Sequence, residues 1–206
     1  MKTATASRKG ENGPNGRGAR PLWGMIQAAL CAAVLLFPLL ASGQQSRPSE
    51  YQVKAAYLFN FSRFVSWPAT GAGDSGGSFA ICVIGRDPFG PVLDATLAGE
   101  NIGGKKVIAR RVALAEQATG CRVLFISASE ESRLREILAA LDKSSVLTVS
   151  DIAHFAERGG MIQFVLQGDR VRFEVNLASA AEARLTLSSD LLKVAVMVRK
   201  AAPSGE

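Results

Sequence analysis

The chain has 206 residues, with 24 Lys and Arg against 18 Asp and Glu, a single His and three Cys. Five of the bases and one acid lie before residue 44, so the net charge of +6 falls to +2 without that stretch, which gives no argument for a nucleic-acid partner. Beyond residue 43 only His154, Cys82 and Cys121 offer soft ligands, too few for a structural metal site, and no metal or cofactor is expected.

Residues 1–20 are basic and rich in Gly, Asn and Ser. The uncharged run Leu22–Leu40 follows and ends at Ala41-Ser42-Gly43, small residues of the kind a signal peptidase reads, so a signal peptide over 1–43 with cleavage at Gly43 is expected. An uncleaved N-terminal anchor is the alternative, weakened by Gln27 and Pro38. Residues 44–50 read as a flexible lead, 51–200 as one α/β domain and 201–206 as a disordered tail.

From Tyr51 the apolar residues Val53, Ala56, Tyr57, Phe59, Phe61, Phe64 and Val65 cover well over half of a helix, which predicts a buried first helix ended by Pro68. Lys54, Asn60 and Arg63 argue against a membrane span. The loop after it holds Gly71, Gly73 and Gly76 in G-x-G-x-x-G spacing, but it runs from helix to strand, the reverse of the dinucleotide-binding order.

"FAICVIG" (79–85) is a nearly continuous apolar run, as in a strand buried on both faces. A helix is expected next, with Asp87 as N-cap and Pro88 at its first position, followed by a strand over "KKVIARRV". "CRVLFIS" reads as a second buried strand, with Ser129 capping the helix "EESRLREILAALDK" and its stripe of Leu134, Ile137, Leu138 and Leu141. "SSVLTVS" is a third strand, after which Asp151 opens a short helix ended by Gly159-Gly160.

"MIQFVLQ" and "RVRFEVN" alternate apolar with polar residues around Gly168-Asp169 and form a hairpin. An Ala-rich helix then leads through "LTLS" to a final helix capped by Ser188 or Ser189, packed by Leu191, Leu192, Ala195, Val196 and Val198. The pattern predicts a three-layer α/β fold: a mostly parallel sheet flanked by helices, with the C-terminal antiparallel hairpin at its edge.

Catalytic signatures are few. No G-x-S-x-G elbow, Walker loop or H-E-x-x-H occurs. His154 reads as a half-buried structural residue, and Glu130-Glu131 suit a helix start. Asn60-Phe61-Ser62 matches a glycosylation acceptor inside the buried helix and carries no weight. The carboxyl edge of the sheet, near Gly85-Arg86, Ser127 and Ser150-Asp151, is the candidate ligand edge, with Arg86 as the anion contact. An even cysteine count in an exported chain admits either a disulfide or two buried thiols.

Four separated blocks, "VKAAYLFNFSRFVSWP", "FAICVIGRDPFG", "GGMIQFVLQGDRVRFEVN" and "LTLSSDLLKVA", together resemble the YfiR family of exported bacterial regulators, in that family's order and over nearly all of 51–198. The resemblance implies a non-catalytic periplasmic domain. The best-known members of that family bind the periplasmic sensor region of an inner-membrane diguanylate cyclase and hold it inactive, restraining cyclic di-GMP signalling and biofilm formation, so the resemblance implies such a partner here. A membrane histidine kinase as target, a small-ligand-binding role and a homodimer stay open as alternatives. The family also uses disulfides, and Cys82 and Cys121 occupy places where some members bridge. A second bridge found in certain members has no equivalent, since no cysteine follows Cys121.

Overall fold

The structure, a computed structural model, describes residues 48–68, 77–142 and 144–200. The expected signal sequence with Gly43, most of the lead, the glycine-rich loop 69–76 and the tail 201–206 lie outside the described residues.

Ser49 starts the first helix. Its hydroxyl accepts from the Gln52 N–H and the Gln52 side chain accepts from the Ser49 N–H, so two otherwise orphaned donors are satisfied reciprocally. Helix α1 (Glu50–Phe64) then buries Ala55, Leu58 and Phe61 completely. Burial of the Leu58 and Phe61 side chains contributes about 2 kcal/mol each. Strand β1 (Val65–Ser66) follows at once, three residues before Pro68.

Among the described residues the main sheet has eight strands. Its parallel part lies in the spatial order β4 (Lys105–Val112), β2 (Ser78–Ile84), β5 (Val123–Ile126), β6 (Leu147–Ser150) and β7 (Ile162–Gln167). The tight turn at Gly168, φ +58°, returns the chain antiparallel as β8 (Arg170–Asn176). Two short strands complete the sheet: β3 (Asn101–Ile102) beside the start of β4, and β10 (Met197–Arg199) parallel to β8. A separate two-stranded sheet pairs β1 with β9 (Thr186–Leu187).

Alternation along the buried strands divides the interior into two cores. Phe79, Ile81 and Val83 of β2, with Val123, Phe125, Leu147 and Val149, face α1, α2 (Pro91–Leu97), α4 (Leu177–Glu182) and α5 (Ser189–Val194). Ala80, Cys82 and Ile84, with Leu124 and Ile126, face α3 (Leu134–Ala140) and the 3-10 turn Ala115–Gly120. Helices on both faces of a mostly parallel sheet make the three-layer α/β architecture that the strand–helix alternation predicts.

Local departures have identifiable causes. Helix α2 begins at Pro91, not Pro88, because Gly90 takes a positive φ (+52°); Asp87 instead closes a turn by accepting from the Phe89 N–H. The helix expected after Ser129 divides into a 3-10 segment, Ala128–Arg133, and α3, with Ser127 as the cap. Residues 153–159 form successive turns rather than a helix, and His154 sits there at φ +57°. The last helix stops at Val194. Leu191 is its only fully buried residue, Val196 is 37% exposed, and the chain extends into β10, which lies outside the hairpin.

Candidate functional site

The carboxyl ends of the parallel strands gather the residues singled out from sequence. The chain leaves β2 toward β4 and leaves β5 toward β6, so connections diverge between β2 and β5, the place where open α/β sheets bind ligands. Here that crevice is filled. Gly85 has φ +88°, and a Cβ there would lie 2.5 Å from Ser129 Oγ and 2.7 Å from Glu130 Cγ. The Arg86 N–H donates to Ser129 Oγ at 2.9 Å, while its side chain is exposed. Ser150, fully buried, donates from Oγ to the Ile126 carbonyl and accepts from the Ile152 N–H. Arg86, Ser127 and Ser150 therefore do not converge on a shared cavity.

Asp151 belongs to a different cluster, one that links the end of β6 to the first turns of α1. The Lys54 ammonium, only 3% exposed, lies 2.6 Å from Asp151 Oδ2 and 2.5 Å from Glu50 Oε1. Tyr51 Oη donates to the same Asp151 oxygen at 3.2 Å. Lys54 Nζ also stands 4.6 Å from the centre of the Tyr51 ring and 5.8 Å from that of Phe164, adding cation–π attraction. A recess of about 380 Å³ opens beside Glu50, Lys54, Asp151 and Phe164.

The chemistry of this cluster is that of a clasp. Burial pulls the Lys54 pKa down, but hydrogen bonds to Asp151 and Glu50 and the charge of Asp151 outweigh it, leaving the ammonium above its ordinary range. Burial, then the neighbouring Asp151 charge, pushes the Tyr51 phenol up as well. An amine held protonated is neither a nucleophile nor a base at neutral pH. Sequence reasoning used Lys54 only against a membrane span; the i,i+4 spacing of Glu50 and Lys54 was the available signal, whereas Asp151 lies 97 residues away.

His154 does not fit the half-buried placement expected for it. Its side chain is 73% exposed and its Nδ1 pairs with Glu157 at 3.1 Å, because the positive-φ turn swings it outward while Phe155 goes into the core. Glu130 and Glu131 pair with Arg133 and Arg158.

Cys82 on β2 and Cys121, just before β5, are joined by a disulfide whose Cα atoms are 6.0 Å apart. Both are buried in the core beneath α3, on the sheet face opposite α1.

The YfiR/HmsC-like family model matches residues 51–196, from the second residue of α1 to just past α5. The chain belongs to that family. Among solved structures, a conserved domain protein from Vibrio cholerae O1 biovar El Tor strain N16961 is similar in fold at a TM-score of 0.53 and 12% identity. The match covers 75% of this chain and 62% of that one, so the chain spans less than two thirds of the solved relative. The YfiR/HmsC-like match takes in α1, both clasp partners Lys54 and Asp151, both disulfide cysteines and the hairpin; β10 falls just outside it.

Proposed function

We propose that this protein is an exported regulator that binds the periplasmic sensor region of an inner-membrane diguanylate cyclase and represses it, lowering cyclic di-GMP output. Membership of the YfiR/HmsC-like family over 51–196 carries the reading. Three features of the chain support it. The sheet's switch point is filled by Ser129 and Glu130 rather than open to a substrate, and the buried amine is locked in a clasp. A disulfide suits an oxidising compartment.

In this reading residues 1–43 are removed after Gly43, and N-terminal sequencing of the mature protein tests that step. Repression is a population shift: the regulator must bind the inactive receptor state more tightly than the active one. The test of the whole reading is crosslinking in intact cells, followed by mass spectrometry of the membrane fraction. Capture of a receptor with a periplasmic sensor and a cytoplasmic cyclase, with cyclic di-GMP rising on gene deletion, is the expected result. Capture of a histidine kinase with unchanged cyclic di-GMP overturns the cyclase assignment.

A further inference from the structure

The outer side of β4 is an open sheet edge with a defined polarity. Strand β3 covers only its first two residues, Lys105 and Lys106, and the Val107 N–H is taken by the Glu100 carbonyl. Backbone groups alternate sides along a strand, so the N–H and C=O groups of Ala109 and Arg111 point the same way as those of Val107. Among the described residues no strand lies beyond them. The opposite edge, β10, offers three residues, and its Arg199 is already clasped by Glu157 and Glu174.

Side chains give this edge a charge pattern. Lys106, Ile108 and Arg110 share the face turned toward the disulfide-bearing core, with Ile108 packed against that core and the two cations exposed. Neither Lys106 nor Arg110 has an ion-pair partner among the described residues. Arg111, on the other face, is held by Asp94 at 2.7 Å and Asp87 at 2.8 Å.

We infer that the β4 edge accepts an extended, acidic segment of a partner protein, which adds to the sheet as a strand beside Ile108–Val112. Backbone pairing with Ala109 and Arg111 supplies the attachment; an acidic residue opposite Arg110 and an apolar one opposite Ile108 complement the stretch that β3 leaves open, with Lys106, itself opposite Asn101, in diagonal reach of the segment's end. A second copy of this chain is a poorer occupant. Antiparallel β4–β4 pairing would set one stripe of Lys106 and Arg110 beside the other, and like charges across a strand pair repel. Placing the segment in the membrane receptor rests on the function proposed above; the edge geometry does not.

The test uses the mature protein and a short synthetic peptide in which two glutamates flank a valine at alternate positions, with the lysine counterpart as control. Amide hydrogen exchange at Ala109 and Arg111 is the readout. The glutamate peptide should slow both amides by about tenfold at saturation and the lysine peptide should not. In the K106E/R110E variant the preference should reverse. Ala109→Pro, which removes one outward N–H, should abolish protection; if that variant does not fold, the charge reversal decides alone. Protection by neither peptide, or by both equally, overturns the proposal and leaves the cations as guards against edge-to-edge aggregation. If wild type and K106E/R110E crosslink the receptor equally in cells, the edge is not the receptor site while the regulator reading stands. If neither captures a receptor while the peptide still protects, the regulator reading fails alone.

Discussion

Lys54 illustrates how one residue sets the seat of a whole helix. With its side chain 3% exposed between two carboxylates, truncation would leave Asp151 facing the recess with only Tyr51 as partner. Lys54→Met is expected to cost about 3 kcal/mol in a denaturant titration, and the double variant with Asp151→Leu less than the sum of the two singles. The folded-state pKa lies above the ordinary 10.5, so this contribution is complete below that value and is lost as pH rises through the raised one. Wild type should therefore lose stability above about pH 10 more steeply than Lys54→Met, which a pH series of melting curves measures. Gly160 is a second point of dependence. A Cβ there would overlap the fully buried Phe155 ring, so Gly160→Ala should destabilise by about 2 kcal/mol with no change in charge, read as a shift in denaturant midpoint.

At the scale of elements, the buried strands and the presence of α1 were legible because their signals are local: continuous apolar runs for β2, β5 and β6, and helical apolar spacing from Tyr51; α1 nonetheless leaves Ala56 and Phe64 exposed, and its cap, Ser49, falls in the stretch that reads as a flexible lead. Two of the misplaced boundaries fall where a residue has two uses. Asp87 can cap a helix or close a turn, and Gly90 with its positive φ selects the turn. Val196 and Val198 fit either a helix stripe or a strand, and pairing with β8 selects the strand. The clasp was only half legible, since its i,i+4 pair shows in sequence and its long-range partner does not. The short β10 then has a function of its own, shielding β8. Truncation after Val196 should bare the outer backbone groups of β8 and promote self-association, which sedimentation velocity would register as a shift toward dimers and larger species.

For the molecule as a whole, the two faces of the sheet are secured by unlike means. The face under α1 relies on aromatic packing, with Tyr57, Phe61, Phe164 and Phe173 at ring separations of 5.0 to 6.0 Å, and on the Lys54 clasp. The opposite face carries the Cys82–Cys121 bridge, whose ends are 39 residues apart and which encloses the end of β2, α2, β3 and β4 and stops just short of β5. In the chain-entropy account a loop of that length stabilises by about 4 kcal/mol, so Cys82→Ala with Cys121→Ala should lower the melting temperature by about 10 °C. That bridge has a mechanical consequence too. A single molecule stretched from its two ends can release only the chain outside the loop while oxidised. Adding a reductant during the pull should free about 130 Å of further contour length in one step, after a delay set by the reductant's attack on the sulfur–sulfur bond and not by the fold.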